Sequence, residues 1–420
     1  MNTRQRLIIM NFLQFFIWGA WLISIGNYLG GTLQFTGSQI GAVFSTLGIA
    51  SLFMPAIMGI IADKWMNAER VLGLCHLIGA ATLVWASTVT DPNMFFWLML
   101  LNSMFYMPTI ALNNSVSYII LEKKGFDIVK DFPPIRVWGT VGFIAAMWLI
   151  DILGWDASNK QLLFSAVFAA VLGIYAFTMP ACEPVRSSNK KSFISALGLD
   201  AFVLFRDSKM LIFFLFAMFL GAALQITNAF GSTFLESFKP AYPESFVVTH
   251  KLFTLSISQI SESLFILAIP FFLKRFGIKQ VMLMSMFAWV LRFGLFGIGN
   301  PGTGLIFLLA SMIIYGMAFD FFNISGSLFV ENEVPSNIRA SAQGLFMFMT
   351  NGLGAMFGGY GAGLVVDYFS NTNPVTKELV SRDWQSIWFT FAAYALVLAI
   401  IFPFAFKYKH DTKAIPAVQH

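Results

Sequence analysis

Twelve stretches of about twenty mostly apolar residues run through this 420-residue chain, and few charges interrupt them. A helix needs roughly 20 apolar residues to cross the hydrocarbon core of a bilayer. The stretches cover residues 7–30, 38–62, 70–89, 93–121, 134–154, 161–180, 209–235, 249–272, 280–298, 303–330, 338–366 and 384–406. Hydrocarbon offers no hydrogen-bond partners, so each stretch must bond its own backbone as a helix. Composition agrees: 57% of residues are hydrophobic and only 11% charged, against ~25% charged in a soluble domain. That excludes a soluble enzyme or a disordered scaffold. Two cysteines, Cys75 and Cys182, exclude a disulfide framework. Four scattered histidines and the absence of any Ser-His-Asp set, HExxH run or phosphate loop give no basis for a metal, a cofactor or an enzyme. The first stretch is expected to stay as a span, because no small-residue cleavage site follows it and a second span comes at once.

Orientation follows from lysine and arginine, which concentrate in cytoplasmic loops. With the N-terminus inside, nineteen of the 26 face the cytoplasm and five face out, while Arg136 and Arg292 lie at or within helices. Both termini are therefore expected in the cytoplasm, and the net charge of +5 reflects inside loops rather than a nucleic-acid surface. The longest polar connection, 181–208, divides the spans six and six. The fourth span holds Asn113-Asn114-Ser115-Val116-Ser117 and the tenth holds Asn323-Ile324-Ser325-Gly326-Ser327. The fifth begins Pro134-Ile135-Arg136, the eleventh Pro335-Ser336-Asn337-Ile338-Arg339. Repeats in matching positions imply duplication. The expected fold is an all-α membrane protein of twelve transmembrane helices in two pseudo-symmetric six-helix bundles, the major facilitator arrangement, with a site between them near the midplane. The expected division is a bundle at 1–180, a cytoplasmic linker at 181–208, a second bundle at 209–406 and a tail at 407–420. Between spans two and three, Gly59, Asp63, Lys64 and Arg70 resemble the superfamily's loop motif, without its second glycine and doubled basic residues. They suggest a cytoplasmic charge latch that holds the halves together when the protein faces outward.

A charge at the bilayer centre costs at least ~2.5–3.5 kcal/mol, so ionisable groups inside spans need a reason. Asp320 sits near the middle of the tenth span and Glu262 near the middle of the eighth. Each could be a structural acid bonded to a neighbouring helix; two at similar depth in one half favour a shared functional site. Gln225 and Asn228 share a face of the seventh span, and Gln259 and Glu262 have the same spacing in the eighth. Amides suit a neutral polar solute, and they equally serve interhelical hydrogen bonds. Arg136, Thr140 and Phe143 lie at i, i+4 and i+7 of the fifth span. Arg136 is close to its expected end, where it could snorkel to headgroups; a helix starting near Phe132 would carry it deeper. Arg292, in the ninth span, fits a packing or interfacial role better. Phe143, Tyr315, Phe319 and Phe322 share segments with these polar residues, and flat aromatic walls suit a planar heterocycle.

Four segments carry a family resemblance: Phe132-Pro133-Pro134-Ile135-Arg136-Val137-Trp138-Gly139-Thr140, Leu224-Gln225-Ile226-Thr227-Asn228, Ser258-Gln259-Ile260-Ser261-Glu262, and the run from Ala318 to Ser327. With Phe15-Phe16-Ile17-Trp18-Gly19 and Ile338-Arg339-Ala340-Ser341-Ala342-Gln343-Gly344, the chain resembles the bacterial nucleoside:proton symporters of the major facilitator superfamily from end to end. The run Ala68-Glu69-Arg70, with Leu74-Cys75-His76-Leu77 and Phe272 to Lys279, looks closest to the xanthosine permease branch. The resemblance implies proton-driven nucleoside uptake across the bacterial inner membrane, with no cofactor beyond the proton gradient, by a multi-pass protein expected as a monomer in the lipid bilayer. It implies substrate contacts for Arg136, Thr140, Phe143, Gln225, Asn228, Gln259, Tyr315 and Phe319, and proton coupling for Asp320 and Glu262. Asp320 is the first choice of carrier because apolar residues flank it more deeply. With Arg136 charged and both acids ionised, these three groups sum to −1, and one proton makes them neutral. The competing expectations are a passive nucleoside facilitator and a proton-coupled exporter of planar compounds.

Overall fold

The computed structural model describes residues 2–184, 199–336, 338–373, 375 and 379–408. The middle of the expected linker, 185–198, and most of the expected tail, 409–420, lie outside the described residues. In chain order the spans are α1 (Thr3–Gly19, continued by Ile25–Asn27 and a π-helical Tyr28–Thr32), α2 (Gly37–Lys64), α3 (Ala68–Ala86), α4 (Pro92–Lys123), α5 (Ile128–Ile152) and α6 (Lys160–Ala176). Then follow α7 (Ser208–Glu236), α8 (Lys251–Phe276), α9 (Ile278–Ile298), α10 (Leu305–Glu333), α11 and α12 (Trp384–Ala405). The eleventh span is three joined pieces, Arg339–Met347, a π-helical Phe348–Gly354 and Ala355–Tyr368. Among the described residues, nine of the twelve are single helices long and apolar enough to span; α1 and α11 are segmented and α6 is short. The one departure from an all-α fold is a two-stranded antiparallel pairing of Ser370–Thr372 with Leu379–Arg382 in the connection before α12.

Local chemistry sets the helix starts. Asn2 with Gln5 and Thr36 with Gln39 form capping boxes, and Asp91, Asp207 and Asp383 each accept a backbone N–H of the first turn. Ser386 also donates its hydroxyl to Asp383, and these hydrogen bonds hold the Asp383 carboxyl below its ordinary pKa. The cap with the largest consequence is Asp127, which accepts from Val129 N at 2.9 Å and starts α5 at Ile128. Hydropathy set the expected start of this span at Pro134. Instead Pro133 and Pro134 are carried inside the helix. They forgo two ladder bonds, but Arg136 moves eight residues in, about 12 Å along the axis.

Packing repeats six helices apart. In the first bundle α1 packs on α5, α2 on α4, and α3 on both α4 and α6; in the second α7 packs on α11, α8 on α10, and α9 on both α10 and α12. Between the bundles the main pairs are α2 with α11 and α5 with α8, which are also related by that shift. An even number of spans puts Thr3 and Ala405 at one face, called here the terminal face.

At the opposite, far face the bundles are fastened. Asp367, near the end of α11, accepts Gly37 N at 2.5 Å and Ser38 N at 2.8 Å, capping α2. Asp151, near the end of α5, accepts Leu252 N at 2.9 Å in the first turn of α8 and lies 2.8 Å from His250 Nδ1. The two caps occupy pseudo-equivalent places: each sets a carboxylate of one bundle on a helix N-terminus of the other, where the backbone dipole favours negative charge. Beside them Lys251, only 5% exposed, bridges Asp156 at 2.9 Å and Glu236 at 2.7 Å, and Trp148 donates to Ser256 and stacks on Phe253. Towards the terminal face the helix pairs part. Gly37, Gly41 and Gly48 abut α11 backbone, whereas a Cβ on Gly59 would meet nothing within 4 Å. The ion pairs Arg4–Asp131, Lys209–Glu333 and Arg339–Glu331 on that side each stay within one bundle. The space between the bundles therefore opens to the terminal face.

If the paired caps hold the far face shut, Asp151→Ala with Asp367→Ala will loosen it. Spin labels on Thr90→Cys and Thr303→Cys, exposed on that face in different bundles, should then show a longer and broader distance distribution by electron–electron double resonance. An unchanged distribution means the other contacts suffice.

Candidate functional site

Where the bundles part, a cavity of about 320 Å³ lies between them, within the size range of small-molecule sites. From α5 it is lined by Arg136, Thr140 and Phe143, from α7 by Leu224, Gln225 and Asn228, from α8 by Gln259 and Glu262, and from α10 by Tyr315 and Phe319. Each set stands at three- or four-residue spacing, so each helix presents one stripe. The eight residues expected to contact substrate and the acid Glu262 all meet here.

Arg136 reaches this cavity because Asp127 starts α5 early. Its guanidinium lies over the Phe15 ring, 4.1 Å from the centroid, an attractive placement for a cation on a π face. Gly139 leaves the room: a Cβ there would come 2.7 Å from both Arg136 Nη1 and Phe15. Arg136 is thus no snorkelling residue; it interacts electrostatically with Glu262. On the other wall, α8 and α10 cross in close contact at Gly316, where a Cβ would lie 2.5 Å from the Ser261 carbonyl oxygen. Ser261 also donates to the Ile313 carbonyl. That crossing sets Glu262 beside Tyr315, whose hydroxyl neighbours Gln259.

Asp320 is placed differently from the expectation that it shares the chamber with Glu262. It is 4% exposed and does not line the cavity. Tyr315 and Phe319, four apart, take the cavity face, and the next residue points about 100° around the helix. Asp320 lies behind that wall, close enough to Glu262 to interact electrostatically. One of its oxygens, Oδ2, is buried without a hydrogen-bond partner.

The Gly59–Lys64 segment does not line the cavity. It is the end of α2 rather than a loop, with Lys64 in the last turn where the helix dipole favours a cation. Asp63 and Lys64 are exposed. Arg70 lies 3.9 Å from Glu69, which is buried and accepts the backbone N–H of Cys182 in the same bundle. The described contacts beside this motif stay within its own half, as expected where the bundles are parted at this face.

Of the lining residues that were not anticipated, two carry polar side-chain atoms, Trp18 and Asn351. Trp18 belongs to a run singled out for resemblance, and its ring stands edge-on to Phe143 with 6.2 Å between centroids. Asn351 comes from the π-helical piece of α11; a polar side chain inside span 338–366 was the signal that would have found it, and π-bulges often mark functional positions. Of the lining polar atoms, Trp18 Nε1 and Gln225 Oε1 are buried without a protein partner. One is a donor and the other an acceptor, and leaving such groups unmatched is costly. The wall thus presents amides and aromatic surface to a solute, with one unpaired donor and one unpaired acceptor buried within it.

A family model described as "Nucleoside H+ symporter" matches residues 1–411. Xanthosine permease of Escherichia coli strain K12 is 56% identical over 425 residues, covering 100% of both chains. Nucleoside permease NupG of the same strain is 52% identical over 413 residues, covering 98% of this chain and 97% of that one. A crystal structure of nucleoside transporter NupG superposes with a TM-score of 0.91 at 52% identity, covering 97% of this chain and 100% of the other.

Proposed function

The chain belongs to the nucleoside H+ symporter family, and from that premise we propose that it draws nucleosides and protons together into a bacterial cell across the inner membrane. It is a transporter and not an enzyme. In this reading both termini are cytoplasmic, the terminal face is the inner one, and the geometry described is an inward-facing state. Residues 1–180 rock against 209–406 as a monomer in the lipid bilayer, exposing the cavity to each side in turn.

The observation that carries the assignment is the cavity wall itself. A nucleoside presents ring carbonyls, N–H groups and ribose hydroxyls on a planar base, and the wall supplies the amides of Gln225, Asn228 and Gln259 beside the Trp18 indole. Arg136 adds charge-assisted donors. Phe143, Tyr315 and Phe319 provide the faces against which a base stacks. Thr140 completes the α5 stripe. The identity to xanthosine permease supports xanthosine as one of the nucleosides carried.

Glu262 opens onto the cavity and interacts with Asp320 behind it. Neighbouring carboxyls in a low-dielectric interior share a proton; here that proton is the coupled ion, with Asp320 as its enclosed carrier and Glu262 as its door to the cavity. One proton crossing a ~150 mV potential releases about 3.4 kcal/mol, enough to concentrate a neutral solute a few hundredfold.

Two measurements test this. Asp320→Asn should abolish accumulation of radiolabelled uridine in vesicles when the outside is acidified; persistent accumulation against a gradient removes Asp320 as the carrier. Gln225→Ala should weaken nucleoside binding in calorimetry by about 1 kcal/mol, near fivefold in Kd. Unaltered affinity would return Gln225 to an interhelical role.

A further inference from the structure

Arg292 stands in α9, and the cavity does not use it. It is 2% exposed, so it is neither interfacial nor snorkelling. Its Nη1 donates to the Ser311 carbonyl at 2.9 Å and, at 3.4 Å, to Ser258 Oγ, while Nε is buried without a partner. Among the described residues no carboxylate lies within ion-pair distance of it. Instead the guanidinium faces two rings, 4.5 Å from the centroid of Tyr315 and 5.0 Å from that of Phe296. A lone cation inside a spanning bundle demands compensation, and two carbonyl and hydroxyl bonds do not neutralise it.

Tyr315 is the residue that Arg292 shares with the two acids. That residue lines the cavity in front and stacks on Arg292 behind, and Arg292, Glu262 and Asp320 all act electrostatically on its hydroxyl. Ser258, bonded to Arg292, immediately precedes the cavity residue Gln259. Arg292 therefore touches, from behind, α8 and α10, two of the elements that bear the C-terminal half of the site.

We infer that Arg292 is a positioning residue of the transport site: it holds the Tyr315 wall in place and is the second positive charge that balances Glu262 and Asp320. This rests on the reading of those acids as the proton site. It corrects the tally made from the sequence, which counted Arg136 and the two acids only. With Arg292 included, the empty site is neutral when both acids are ionised, and it carries +1 once a proton is bound. A neutral nucleoside leaves that sum unchanged. The loaded carrier then moves the charge across the membrane, and the empty carrier returns uncharged.

Counterflow exchange tests this, because labelled and unlabelled nucleoside swap on the loaded carrier alone. In proteoliposomes at equal pH on both sides, an inside-negative potassium diffusion potential should hold the positive loaded carrier inward-facing. Wild-type exchange should slow at least about threefold. In Arg292→Gln the loaded carrier is neutral, so exchange should ignore the potential. Arg292→Lys keeps the charge but loses the planar stack on Tyr315, so it should keep the voltage sensitivity while binding nucleoside more weakly. Wild-type exchange that is indifferent to potential overturns the inference without any variant, as does Arg292→Gln exchange that stays voltage-sensitive. Acid-driven net uptake, measured in the same vesicles, distinguishes the two failures: its loss in the wild type would sink the proton-symport reading, while its presence beside voltage-indifferent exchange would sink only the role of Arg292.

Discussion

Hydrocarbon will not solvate a polar group, and each notable feature of this protein answers that constraint. The backbone answers it with helices. The few ionisable side chains within the spans answer it by facing the seam between bundles or one another. Arg136 takes the Phe15 ring and the field of Glu262. Arg292 takes Tyr315 and Phe296. Asp320 lies within the field of Glu262. Polar residues at mid-span thus report on one small region, because only there can they avoid lipid.

The same economy explains how the bundles are joined. A helix N-terminus carries unpaired N–H groups, and a carboxylate from the opposite bundle is a suitable partner. Asp367 on α2 and Asp151 on α8 use this chemistry at pseudo-equivalent places. Both contacts are polar, few and at the water-accessible end of the fold, where separated groups can find water instead. A seam fastened so is firm when closed and can still part. The middle of the seam has no such fastening and holds the cavity.

Much of this was legible in the sequence. Hydropathy located all twelve spans within a few residues at most ends, since length and apolarity are direct physical requirements. Helical spacing placed Gln225 with Asn228, Gln259 with Glu262 and Tyr315 with Phe319 on common faces, and the structure brings those faces together. What remained hidden depended on local competition or distant partners. Asp127 outweighed the proline pair in starting α5, and hydropathy does not register a cap. Asp320 was assigned to the chamber by depth, but depth does not specify the angle around the helix. The far-face cluster of Asp156, Glu236 and Lys251 joins the α5–α6 connection to the end of α7 and the start of α8, which no local pattern links. Arg292 was set aside for a packing or interfacial role because the ninth span is outermost in the expected fold; the ring it faces, Tyr315, stands on a different helix.

That last residue shows why the wall between α8, α9 and α10 matters as a unit. A transporter of neutral molecules has no charge on its cargo with which to sense the membrane potential, so the charge that moves must belong to the protein and its proton. Two acids alone would leave the empty carrier negative and place the electrical work on its return. Two acids balanced by two arginines leave the empty carrier neutral and place that work on the loaded step. The inside-negative potential then acts on the carrier while it holds nucleoside and proton together. The stacking of a guanidinium behind a cavity tyrosine is therefore more than packing: it sets which half of the cycle the membrane potential drives.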